Sequence, residues 1–163
     1  MEQVTFKDIK KSKEVNAYIY KGNSTLGVLG YTDHSAEHAV KVSSMAGKIL
    51  ECLGYGGHTV ELAKIAGYMH DIGNCVNRLD HPHSGALMAH QILRDMKMDY
   101  EDIAVIINAI GMHDEKSGGA VDTVSAALIL ADKTDVRRDR VRNQNKAAFD
   151  KHDRVNYAEI GRA

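Results

Sequence analysis

Apolar residues along the chain recur in steps of three and four, and alternation in steps of two is nowhere sustained. From Ala39 to Leu53, the residues Val42, Met45, Ile49, Cys52 and Leu53 form one face, with Lys41, Ser44, Lys48 and Glu51 opposite, which predicts an amphipathic helix. Gly54, Gly56 and Gly57 end it. Thr59 then opens a second helix through Leu62, Ile65, Ala66 and Met69 to His70. Beyond Pro82 the pattern predicts a third helix from Ser84 to Lys97 and a fourth from Tyr100 to His113. A fifth is expected from Val121 to about Arg137. The first thirty residues predict one helix over 6–22 and a loop or short turn over 23–31. Val155 to Ile160 predicts a short docking helix or a loose end. The expected fold is therefore all-α, with most of the core drawn from residues 33 to 137.

A chain of 163 residues fits one domain with an unbroken core. With 44% hydrophobic and 26% charged residues, disorder is excluded as the main state. Lys+Arg 21 against Asp+Glu 22 leaves a net charge of -1, so no overall basic field favours nucleic acid. Two cysteines support neither a disulfide framework nor a Cys-rich zinc site; Cys52 is expected in the core and Cys75 in a packing role. The start, MEQVTFKDIKKSKE, lacks the apolar core of a signal peptide, and no stretch approaches the roughly 20 apolar residues that span a bilayer. A cytoplasmic protein is the resulting expectation.

Nine histidines in so short a chain change the picture. His38 opens the first core helix, His70 and Asp71 close the second, His81 precedes the third, His113 closes the fourth, and Asp132 interrupts the apolar run SAALILADK of the fifth. A carboxylate after Leu128, Ile129, Leu130 and Ala131 should point into or beside the core, where an uncompensated charge is very unfavourable, so something positive should meet it. His70 shares a helical face with Ala63 and Ala66, and His113 with Ile106 and Ile110, so both imidazoles point inward. Singly, each such group is more often a paired core residue than a ligand. Together they form a mixed imidazole and carboxylate set suited to Fe, Mn, Zn, Co or Ni and less to Ca.

In order and context these residues resemble the H…HD…D signature of the HD-domain superfamily of metal-dependent phosphohydrolases. HAVKVSSMAGKI is similar to the helix carrying that family's first His, AGYMHDIGN to the helix end carrying the HD pair, and AALILADKTD to the helix carrying the last Asp. The resemblance covers roughly residues 31 to 142. It implies an HD-domain helical bundle of about five core helices, with an N-terminal extension over 1–30, the domain over 31–142 and a tail over 143–163. DHPHSGALMAHQIL and AIGMHDE resemble the segments that supply extra His ligands in two-metal members. The layout is similar to bacterial dinucleoside-polyphosphate hydrolases. Met112 before His113, with no later GYP, disfavours cyclic di-GMP phosphodiesterases, and IGNCVNR after Asp71 lacks the acidic residues of alarmone hydrolases.

The resemblance implies one or two divalent or transition-metal ions. His38, His70, Asp71 and Asp132 would hold the first, and His81, His113 and a bridging Asp71 the second. His70 and Asp71 would be the catalytic pair. His83 is the rival of His81. Lys133 and Arg137 are expected as phosphate contacts, Arg78 is a further candidate, and His34, four residues before His38 and one turn away if the helix already starts there, is expected either near the substrate or behind a ligand, or exposed in an N-terminal turn. The cations are equally at home on a solvated helix end or in a surface loop. His58, His90 and His152 are expected on the surface or in packing. The expected partner is a small phosphorylated substrate of the nucleotide type, without membrane or nucleic acid; a homodimer stays open. Two rival readings are a di-iron oxygenase on the same fold and a non-catalytic sensor or scaffold that keeps metal for stability.

Overall fold

The computed structural model describes residues 4–159, which form eight α-helices: α1 (Phe6–Lys11), α2 (Lys13–Val28), α3 (Ala36–Cys52), α4 (Gly57–Met69), α5 (His81–Asp95), α6 (Tyr100–Gly111), α7 (Thr123–Thr134) and α8 (Lys151–Tyr157). Short 3-10 turns occupy Ile72–Cys75, Arg138–Arg140 and Lys146–Ala148, and no strand occurs among the described residues. No helix there is long and apolar enough to cross a membrane.

The five amphipathic segments are the bundle. α3 lies against α4 and α7, α5 against α6, and α4 also touches α6 and α7. Val42, Ala46 and Leu50 of α3 meet Ala63 and Ala66 of α4, Ile106 and Ile110 of α6, and Leu128 and Ala131 of α7 in one buried cluster. Each fully buried Leu or Ile contributes about 1.5–3 kcal/mol relative to exposure, so the stripes read from the sequence are what fasten the helices together. Local signals agree with the packing. Asp122 and Ser125 form a reciprocal cap at the start of α7, with Ser125 N donating to Asp122 Oδ1 at 2.7 Å and Asp122 N to Ser125 Oγ at 2.9 Å.

Several expectations are corrected. The stretch 6–22 is two helices, because Ser12 leaves the helical region (ψ 120°) and its hydroxyl accepts from Val15 N to start α2. The expected loop over 23–31 is helical as far as Val28. Its low helix propensity is overridden by packing. Gly22, where an added Cβ would stand 3.1 Å from Cys75 N, lets α2 press against the turn Ile72–Cys75. α7 stops at Thr134, whose hydroxyl bonds back to Ala131 O at 2.7 Å, so Arg137 lies beyond it. α5 starts at His81, ahead of Ser84, with Pro82 in its first turn, where a missing N–H costs nothing. Cys52, expected in the core, is exposed; it is the last residue of α3, past the cover of α4. The final helix is α8, which ends at Tyr157; the predicted segment's last residue, Ile160, lies outside the described residues.

The last helix is fastened to the segment that follows α7. Arg137 N donates to Asn156 Oδ1 at 2.9 Å, the Arg138 and Lys146 cations lie over the Tyr157 ring, and Phe149 packs edge-on to Tyr157.

Candidate metal centre

Five helix ends supply the centre. His38 sits in the first turn of α3, His70 caps α4 and Asp71 follows it, His81 opens α5, His113 comes just after α6, and Asp132 lies in the last turn of α7. Gly73 allows this convergence: a Cβ there would run into the His81 carbonyl and come within 2.6 Å of Gly85 N. Any larger residue would push the turn after Asp71 away from the start of α5.

The Asp71 carboxylate is the middle of the cluster. Its Oδ2 faces His70 Nε2 at 3.0 Å, His38 Nε2 at 3.7 Å and His34 Nε2 at 3.9 Å. Its Oδ1 faces His81 Nε2 at 3.5 Å and His113 Nε2 at 3.8 Å. Asp132 Oδ1 lies 3.3 Å from His38 Nε2 and 3.7 Å from His70 Nε2. Among the described residues, two trios have donor atoms close enough to hold a metal ion: His38, His70 and Asp132, and His70, Asp71 and His113.

Every one of these imidazoles is oriented from behind. The Nδ1 of His38 meets Asp135 Oδ2 at 2.8 Å, that of His70 the Gly67 carbonyl at 2.8 Å, that of His81 the Arg78 carbonyl at 3.0 Å, and that of His113 the Ile110 carbonyl at 2.6 Å. Carbonyls and carboxylates only accept, so Nδ1 carries a proton, and with Nε2 deprotonated each ring presents that lone pair to the centre. The Nε2 atoms of His38 and His70 are buried and make no hydrogen bond, despite their closeness to carboxylate oxygens. The Nε2 atoms of His81 and His113 face each other at 3.3 Å. Opposed lone pairs and carboxylates around unpartnered nitrogens fit a bound cation, and that donor set fits a transition metal.

The electrostatics have the same sign. Burial pulls His70 down, yet Asp71 and Asp132 outweigh it and hold its pKa up to about 9. Burial lowers His113 to about 4, with His70 adding to the effect, and burial likewise lowers His81. Burial opposes ionisation of Asp71, but His70 and His34 hold it well below the usual carboxylate range; Asp132 is also held low against its burial, by His38 and His70. The site keeps its carboxylates charged and attracts positive charge.

A cleft of about 140 Å³ opens over the cluster, with Arg78, Lys133, Asp114, His152 and Val155 among its walls. Lys133 Nζ stands 3.7 Å from Glu115 and 4.0 Å from Asp132. Arg78 NH1 donates to Asn74 Oδ1 at 3.2 Å and to His81 Nε2 at 3.3 Å. Arg137 does not line the cleft; Asp135, Glu37 and Asp139 engage its guanidinium. His83 points away, exposed and paired with Asp80. His58 is exposed beside Asp102. Sequence reasoning did not single out Asp135, Asp114, Lys151 or Asn156; His152, expected on the surface or in packing, is exposed and also lines the cleft. Asp135 had one signal, its place three residues after Asp132 at a helix end. The α8 residues had none.

The HD-domain family profile matches residues 35–154. The chain therefore belongs to the HD-domain family. It is 29% identical to the uncharacterized protein MJ1020 of Methanocaldococcus jannaschii over 86% of this chain and 62% of that protein. It is 30% identical to ribonuclease Y of Enterococcus faecalis over 71% of this chain and 20% of that enzyme. The chain thus spans about three fifths of the first relative and about one fifth of the second. In fold it is similar to the crystal structure of a predicted HD superfamily hydrolase from an uncultured Thermotogales bacterium, with a TM-score of 0.56 and 22% identity over 74% of this chain and 66% of that one.

Proposed function

We propose that the chain is a metal-dependent phosphohydrolase acting on a phosphate ester or anhydride of a nucleotide or another small phosphorylated metabolite. The observation that carries this reading is Asp71, one carboxylate whose two oxygens face separate sets of imidazole lone pairs. His38, His70, Asp71 and Asp132 would hold one ion, and His81 and His113 with Asp71 a second. A divalent ion bound there lowers the pKa of its water from about 15.7 towards about 7, supplying hydroxide near neutral pH.

The remaining steps belong to the protein. Asp71 and Asp132 keep their negative charge in the buried floor, and Asp135 fixes the tautomer of His38. Lys133 and Arg78 stand at the cleft wall, where their cations would take phosphate oxygens and offset developing charge. A cleft of about 140 Å³ favours a small head group. Similarity to ribonuclease Y supports a second reading, an RNA phosphodiester as substrate.

The test is metal analysis of protein purified without oxygen, followed by turnover of nucleotides, phosphomonoesters and a short RNA with each metal restored. Metal-dependent release of phosphate or nucleotide from the small compounds supports the proposal. Cleavage of RNA alone transfers it to the second reading. Oxygen consumption with a mixed-valent iron signal assigns an oxygenase, and metal that only stabilises the fold assigns a structural site.

A further inference from the structure

We propose that His34 is a further ligand of the cation position at Asp71 Oδ2, the oxygen that His38 and His70 also face, an assignment that rests on the metal-centre reading above. Its Nδ1 lies 2.7 Å from the Thr32 carbonyl oxygen. That oxygen only accepts, so Nδ1 carries the proton and Nε2 presents a lone pair. The lone pair faces Asp71 Oδ2 at 3.9 Å. Two electron-rich atoms directed at one another favour a cation between them. Donating to a phosphate oxygen would instead require a proton on Nε2.

The spacing agrees. Donors bonded to one ion at about 2.0–2.2 Å are separated by no more than about 4.4 Å. The 3.9 Å from His34 to Asp71 Oδ2 is within that limit and close to the 3.7 Å from His38 to the same oxygen. The His34 ring lies edge-on to His38, with centroids 5.4 Å apart, and continues the run of edge-on rings from His38 to His70 to His113.

The segment carrying His34 is held in place from two distant parts of the chain. Asn23 of α2 accepts from His34 N at 2.9 Å. Arg142 donates to Asp33 Oδ1 at 2.6 Å and to the Asn23 carbonyl at 2.9 Å. Asp33 N donates to the Arg140 carbonyl at 2.8 Å, and Arg140 Nε to the Asp33 carbonyl at 3.0 Å. Asp33 in turn accepts from Ser35 N at 3.1 Å, just before α3 begins. This bracing fixes the imidazole's direction, which is what a ligand needs.

Cobalt(II) tests the assignment without turnover. Wild type, His34→Ala and His34→Gln are loaded with cobalt, and visible absorption, affinity against a competing chelator and metal-free melting temperature are measured. We expect both variants to fold as the wild type does, to bind one cobalt about 10–100-fold more weakly, and to show shifted ligand-field bands. Free imidazole should restore the wild-type bands to His34→Ala. Wild-type bands and affinity in both variants would overturn the assignment, as would a change confined to substrate KM. A wild-type protein that takes up no cobalt would bring down the metal-centre reading itself, and His34 with it.

Discussion

His38 Nδ1 and Asp135 Oδ2 lie 2.8 Å apart across 97 residues of sequence. Arg137 holds the same carboxylate with Nε 2.7 Å from Oδ1, and Arg140 donates to the Asp135 carbonyl at 2.6 Å. The ring that faces the cation position is therefore oriented by a carboxylate that two arginines keep in place. Asp135→Ala should weaken metal affinity about 10–100-fold, the usual cost of losing a partner behind a ligand. Asp135→Asn, whose amide oxygen can still accept, should lose less. Chelator competition on the two variants measures the difference.

Gly73→Ala tests the convergence itself. The added methyl meets the His81 carbonyl, so the turn after Asp71 must move or the start of α5 must yield. Overpacking of this kind costs about 1–3 kcal/mol. A lowered melting temperature together with loss of bound metal is expected, and unchanged metal content would show that the close approach is not what places His81.

Lys133 and Arg137, both expected from the sequence as phosphate contacts, should separate. Lys133→Ala should raise KM for a phosphate substrate about tenfold while leaving the melting temperature unchanged, since its cation is partly exposed at the cleft. Arg137→Ala removes charged hydrogen bonds to the buried Asp135 carboxylate, of the kind worth about 1.5–3 kcal/mol, along with an exposed pair to Glu37 that adds little, so it should lower stability first. Steady-state kinetics beside thermal melts of each variant decide this.

Without metal, stability should fall on both sides of neutrality. His113 is lowered to about 4 from 6.5, so between those values the unfolded chain binds a proton the folded one refuses, and stability is lost as pH falls through that window. His70 is raised to about 9, so its contribution is complete below 6.5 and is lost as pH rises through 9. Urea melts of chelator-treated protein should show both slopes, and His113→Ala should make the acid one shallower, with His34 and His81, also lowered by burial, carrying the remainder.

The sequence made the bundle legible because α3 to α7 each carry an apolar stripe with a helical period and have clear stops. The inward direction of His70, His113 and Asp132 followed from the same stripes, since a polar group on an apolar face has few places to go. What the period could not show was tertiary override. α2 continues through 23–28 because Gly22 fits against the turn Ile72–Cys75, a contact between residues some fifty positions apart. Asp135 and the α8 residues escaped notice for the same reason: their partners are distant in the chain, and nothing local in a polar tail marks a cleft wall.

Metal content of wild type and Asp71→Ala, measured by elemental analysis after identical anaerobic purification and loading, tests the central claim most directly. The wild type should hold more than one equivalent of a transition metal, and the variant, stripped of the carboxylate that among the described residues faces both sets of imidazoles, should fall well below one. Equal metal content in the two proteins would contradict the account.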